Sequence, residues 1–561
     1  MLHAKNQGRP AAIGCVAAVA PTERPKASDV LIDLPEQRAL PGIDTRPRPL
    51  YAWLHALPYV DAENTARQVN GRLRDINHQI LPAGQRLQLL AAFRHSYERL
   101  HDALLTLARQ EDPLRQSGAL TLLSELTELM SFGYKYALRD SLNEGQRWGR
   151  TRQLTQAANY TQHFLTLLLI CRYQAYQPAP ESGWRELGNL VRYAETHQLG
   201  ATRDSTFTGG RGELSVLAGY RALAMLRLAD PYRLPGHLIW EAYGYVMARQ
   251  DRIVLSNVAP EDLAVGVFGL SLDHEPQGSR PLPAGGVERN AWRCLDGREL
   301  LTHAQLDLDR IVAGTRPARV GLSSHLTRAD AVQLLGRMLG QWTHSPQRKS
   351  PRFASSGPVD VASGLEAAYC FLNRGTPFDP ADHVPSEDED DIDFGLPTHR
   401  QVPVRRDFPL LSCPTRNRGN GGLALLGRTA DGLGLRVGQL LLIRSPSGAS
   451  GAVSDWLVGV VRWLISRGDE CEAGVQYIAR ECSPAVVKPT AGAQRHCQPA
   501  LRTRLTLPNG NGLDILVGPR GLYRDKAILE LQQHGQARQI RCTHLLESGS
   551  GFERFSYEIL G

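Results

Sequence analysis

The sequence predicts a multidomain α+β protein: a helical N-terminal region, then an antiparallel β-barrel, then a small C-terminal β unit. Three observations carry that expectation. The chain has 561 residues, too many for one hydrophobic core. Between residues 51 and 250 apolar side chains recur at helical spacing. Beyond residue 344 the texture changes to short apolar runs parted by glycine and other turn residues.

Residues 1–50 are rich in Pro, Arg and Ala without periodicity and are expected to be a disordered tail. Within 51–250, Leu90, Phe93, Tyr97, Leu100, Leu104 and Leu107 step by three and four, which puts them on one helical stripe. Trp184, Leu187, Val191 and Ala194 repeat the pattern after Pro180 and Ser182, residues suited to a helix start. Another helix near Leu214–Leu228 should stop before Pro231. The span 251–344 is a mixed α/β connecting region, with a β-like piece at Val265–Leu272 and a helix at Ala329–Trp342. The barrel is placed at 345–490, with candidate strands Leu423–Leu426, Gln439–Arg444, Trp456–Ile465 and Gly474–Ile478. An insertion at 375–411, which includes the acidic run Glu387–Asp393, reads as a solvated loop. A last β-rich unit covers 495–561.

Composition removes several classes of function. Hydrophobic residues make up 42% and charged residues 22%, as in globular proteins. The net charge of +7 is small for this length, so no DNA or RNA partner is expected. Lysine occurs only at Lys5, Lys26, Lys135, Lys349, Lys488 and Lys526, so the positive charge is nearly all arginine, the planar fork suited to phosphate and guanine. The 9 cysteines are scattered with no CxxC pair, which points to no zinc site and no disulfide scaffold. The longest apolar run, Phe164–Cys171, is far short of a membrane span. Ala11–Ala20 follows a basic start but has alanine's hydrophobicity, so no signal peptide is expected and a cytoplasmic location follows. Walker A, HExxH and GxSxG patterns are absent, so no enzyme, metal or cofactor is expected. Gly209-Gly210-Arg211-Gly212 lacks the lysine of a phosphate loop and reads as a turn.

One stretch carries recognisable chemistry. Cys413–Leu425 reads CPTRNRGNGGLAL, and ahead of it stand Arg348-Lys349-Ser350-Pro351-Arg352. Here the chain resembles the PilZ family, whose members carry RxxxR before the first strand and (D/N)xSxxG at the turn between the second and third. Arg348 and Arg352 fit the first motif, and Asn417, Gly419 and Gly422 take the defined positions of the second. Val437–Leu441, Gly459–Trp463 and Gly474–Tyr477 resemble the family's later strands, in order. The resemblance covers about a quarter of the chain, 345–485. It departs from the family at Gly419, where a serine is usual, and in the long separation of Arg352 from Asn417. Arg405 and Arg406 lie nearer but leave no room for a strand before Asn417, so Arg348 and Arg352 are preferred, with Arg405 as the alternative.

The resemblance implies a receptor for cyclic di-GMP, with Arg348, Arg352, Asn417, Gly419 and Gly422 as ligand-binding residues and a protein effector partner met by the helical region. Neither GGDEF nor EAL occurs, so the chain is not expected to make or degrade that nucleotide. Each guanine offers O6 and N7 on one edge, which an arginine fork meets bidentately, and Asn417 supplies both a donor and an acceptor. The alternative is a degenerate PilZ-like barrel that binds protein only. A third class, an enzyme housed in the helical region, rests on no motif.

Overall fold

The computed structural model describes residues 30–31, 34–109, 113–143, 150–199, 214–258, 264–278, 291–344, 353–354, 357–380, 407–428, 434–445, 456–490, 496–506, 512–533 and 535–560. The N-terminal half is helical: α1 Pro47–Ala56, α2 Ala62–His78, α3 Ala83–Leu107, α4 Pro113–Asn143, α5 Arg150–Gln174, α6 Glu181–His197, α7 Val216–Leu228 and α8 Gly236–Met247. The periodic stripes become the core. Leu90, Phe93, Tyr97, Leu100 and Leu104 of α3 are all buried, as are Trp184, Leu187, Val191 and Ala194 of α6. Ser215 caps α7 by accepting from the Ala218 N–H, and Pro231 opens the next turn after it. At the centre, Phe164 lies edge-on to Tyr97 at 5.1 Å and stacks on Tyr134 at 5.3 Å.

Two expectations about this half are corrected. The tail does not run to residue 50: Gln37 donates to the carbonyls of Asn77 and Gln79, and Arg72 donates to the Asp44 carbonyl. The segment 34–46 is thus held by side-chain donors to backbone, a bonding pattern that leaves no hydrophobic periodicity to read. Nor is 251–344 a separate connector. Strands β1 Val254–Ser256, β2 Val267–Ser271 and β3 Trp292–Asp296 form a sheet in the order β1-β3-β2. Helices α9 Arg298–Val312 and α10 Arg328–Thr343 follow, and their buried residues join the cluster that begins at Val30 and ends at Trp342.

The first β unit contains β4 Phe353–Ala354, β5 Val359–Ser363, β6 Leu411–Cys413, β7 Thr415–Gly419, β8 Gly422–Arg428, β9 Leu440–Arg444, β10 Leu457–Arg467 and β11 Glu470–Ala479. Its order is β4-β7-β8-β11-β10-β9-β5-β6. The pairing registers show that the sheet rolls into a ring. β6 and β7, parted only by Pro414, are consecutive stretches of one bent strand, and so in chain order are β4 and β5; β4 pairs with β7 and β5 with β6. The β5 half also pairs with β9, and the β7 half with β8. Both edges of the sheet are therefore halves of strands already within it. Val359, Val361, Leu423, Leu425, Leu441 and Val475 fill the interior. Helix α11 Leu365–Leu372, which the sequence reading did not foresee, covers one end. Most of the acidic insertion, including Glu387–Asp393, lies outside the described residues.

The last unit is a closed barrel of β12 Cys482–Pro489, β13 Gln498–Thr506, β14 Gly512–Pro519, β15 Ile528–Gln533, β16 Gln536–Ser548 and β17 Phe552–Ile559, ordered β12-β13-β14-β17-β16-β15. Strand β12, placed with the first barrel by the sequence boundary at 490, pairs with β13 and β15 instead. Only Arg480 and Glu481 separate it from β11, and neither marks a turn. The described cysteines are free, and most are buried.

Candidate functional site

The motif residues fall on the hairpin joining β7 to β8. Gly419 pairs with Gly422, leaving Asn420 and Gly421 as the two-residue loop. The hairpin is anchored on both sides: Leu423, Ala424 and Leu425 are fully buried, and the Thr415 hydroxyl donates to the Gly357 carbonyl at 2.8 Å. Between Thr415 and Asn417 the register slips, as a bulge does when it re-aims side chains. Arg416 points outward to Glu472 at 2.7 Å. Arg418 takes another course, donating to the Ser445 hydroxyl at the end of β9.

Gly422 has a structural reason of its own. A Cβ there would stand 2.0 Å from the Val475 carbonyl oxygen, so the close approach of β8 to β11 excludes any side chain. The sequence reading assigned this glycine to the ligand; it is first a requirement of the barrel wall.

Arg348 and Arg352 lie outside the described residues, as do Arg405 and Arg406. The register nevertheless relates the two motifs. Phe353, which follows Arg352 in the chain, pairs with Arg418, and Ala354 pairs with Asn417. Arg405 does leave room for a strand before Asn417, because β6 begins at Leu411.

Three neighbours were missed by the sequence reading. Tyr477 on β11 is bonded through its backbone N–H to the Gly421 carbonyl at 3.0 Å. Its hydroxyl is sealed from solvent without a partner of hydrogen-bonding geometry, and burial pushes its pKa up, partly offset by the adjacent Arg418. Arg480 donates to the Asn420 carbonyl. Arg418 occupies a position the motif leaves free and Arg480 lies outside the motif, just after β11, and in an arginine-rich chain nothing marks them. Among the described residues no group of His, Cys, Asp and Glu is gathered for a metal ion, and no helix is long and apolar enough to cross a membrane.

Residues 48–261 match the family model described as the N-terminal domain of the cyclic-di-GMP receptor FimW. Residues 487–560 match the model of the FimW C-terminal beta-barrel domain. At both ends this chain is similar to FimW. The FimW of Pseudomonas aeruginosa, named a cyclic-di-GMP receptor, is 22% identical over 589 aligned positions, which cover 94% of this chain and 92% of that protein. The first match begins in α1 and stops at 261, inside the unit whose core runs on to Trp342, and the second begins near the end of β12 and covers the other five strands of the closed barrel. Neither model reaches the hairpin, which lies in the ring between them.

Proposed function

We propose that this chain is a cytoplasmic cyclic di-GMP receptor whose nucleotide site is the β7–β8 hairpin, closed by the segment that carries Arg348 and Arg352. The likeness to FimW along 94% of the chain carries the reading. The ring of β4–β11, with its motif hairpin, supports a PilZ-type site. Phe353 pairs with Arg418, so Arg352 is one peptide bond from a residue that faces the hairpin. An arginine fork meets the O6 and N7 acceptors of a guanine, and arginine also pairs with phosphate. Asn417 accepts from and donates to a base edge. The ligand would order the arginine segment against the ring and pass the change through β11. There Gln476, the partner of Gly422, accepts from Arg462, which also binds Glu547 of the C-terminal barrel. The helical surface then meets a protein effector differently in the two states.

A second reading, a barrel that binds protein only, is favoured by one observation: Gly419 removes the hydroxyl that the motif usually supplies. Variants discriminate. Arg348→Ala and Arg352→Ala should each weaken cyclic di-GMP binding by about 1–3 kcal/mol, or about five- to 150-fold, while Arg405→Ala changes little. Arg405→Ala alone abolishing binding would move the clamp beyond the acidic insertion. Wild-type affinity in all three variants would move the nucleotide site away from these arginines, and no binding by the wild-type chain would favour the protein-only barrel.

A further inference from the structure

Three of the ring's arginines are paired with carboxylates. Arg416 pairs with Glu472, Arg444 with Asp360 at 2.9 Å and Arg462 with Glu547. The two at the hairpin have no carboxylate among the described residues. Arg418 reaches only the Ser445 hydroxyl and the neighbourhood of Tyr477, and Arg480 reaches only the Asn420 carbonyl. Arg418 is half-buried, so a counter-charge brought to it is less screened by water than at an exposed site. Beside it the Tyr477 hydroxyl is enclosed, with Arg418 approaching it as a donor and no acceptor for its own proton among the described residues.

These observations share one solution. A phosphodiester brings a negative charge and two free oxygens, which can accept from a guanidinium and a phenol together. We propose that Arg418, Tyr477 and Arg480 form a phosphate-holding subsite beside the Asn417–Gly422 hairpin, taking one phosphodiester of a cyclic dinucleotide. The inference rests on the receptor reading and adds three residues to its site. It also explains how the hairpin can bind a ligand without the motif serine: the missing hydroxyl at Gly419 is replaced by the one at Tyr477, delivered from β11.

The test is titration of the full chain with cyclic di-GMP. Arg418→Gln and Arg480→Gln should each weaken binding by about 10- to 150-fold, the range for a lost hydrogen bond to a charged group. Tyr477→Phe should weaken it less. Arg418→Lys should recover much of the loss, because a point charge serves a phosphate but cannot make a guanine fork. Arg416→Gln, next along the strand but pointing outward to Glu472, should leave affinity near wild type. Melting curves check the fold; Arg418→Gln strands no carboxylate, so it should melt like the parent. Wild-type binding with undiminished affinity in Arg418→Gln and Arg480→Gln would overturn this inference and leave the receptor reading standing. No recovery in Arg418→Lys would overturn the phosphate assignment in favour of a guanine contact. Failure of the wild-type chain to bind would overturn both.

Discussion

His163 lies in the core of the helical region, on α5, where burial and the neighbouring Arg94 push its imidazole pKa down to about 3. Its ordinary value is about 6.5, so between these limits the unfolded chain binds a proton that the folded chain refuses. Stability is therefore full above pH 6.5 and falls as the pH drops toward the folded pKa. At pH 5 this one residue costs about 2 kcal/mol relative to pH 7.5. The melting temperature of wild type should drop between those pH values, and His163→Gln should reduce that drop; equal drops in both proteins would remove His163 as the cause. The placing of Asn417, Gly419 and Gly422 on one hairpin was legible because a motif fixes their spacing. Arg418 and Arg480 were not, since what marks them is their packing beside the hairpin and Tyr477. That is a property of the packed barrel, and no pattern along the chain reports it.

At the scale of elements, the helices were legible because each must bury one stripe, as α3 and α6 do. Strands β8 to β11 were legible as apolar runs between turns. Three features were not. The 34–46 segment is held by polar bonds, α11 is only eight residues long, and β12 follows β11 with no turn to separate them. Each lacks the periodicity or punctuation on which sequence reading depends. The acidic insertion gives a test of where the barrel ends. Phe378 packs edge-on against Tyr369 of α11 at 5.7 Å, so the removable segment begins after it. Deleting residues 381–396 should leave a soluble protein that melts within a few degrees of wild type, because such composition builds no core and shortening a long loop costs little. Insoluble protein, or a broad low-temperature transition, would show that the segment supplies part of a strand.

Across the whole molecule, the three units meet at one carboxylate. Glu547 of β16 is 9% exposed, chelated by Arg462 of β10 and 3.7 Å from Arg554 of β17. Burial alone would raise its pKa, but Arg462, Arg554 and Arg337 of α10 outweigh burial and hold it below the usual carboxylate value. Arg337 in turn donates to the Arg233 carbonyl of the helical region at 2.7 Å. Glu547→Gln would leave these arginines together without their counter-charge, at a cost of about 3–5 kcal/mol. Urea unfolding followed by tryptophan fluorescence should show the midpoint fall; an unchanged midpoint would mean the units are joined elsewhere. Calorimetric titration of the full chain with cyclic di-GMP, with GTP and cyclic di-AMP as controls, decides whether this protein is the receptor proposed above. A receptor should bind cyclic di-GMP saturably at micromolar affinity or tighter, and both controls more weakly. No heat and no thermal shift at saturating cyclic di-GMP would contradict that proposal.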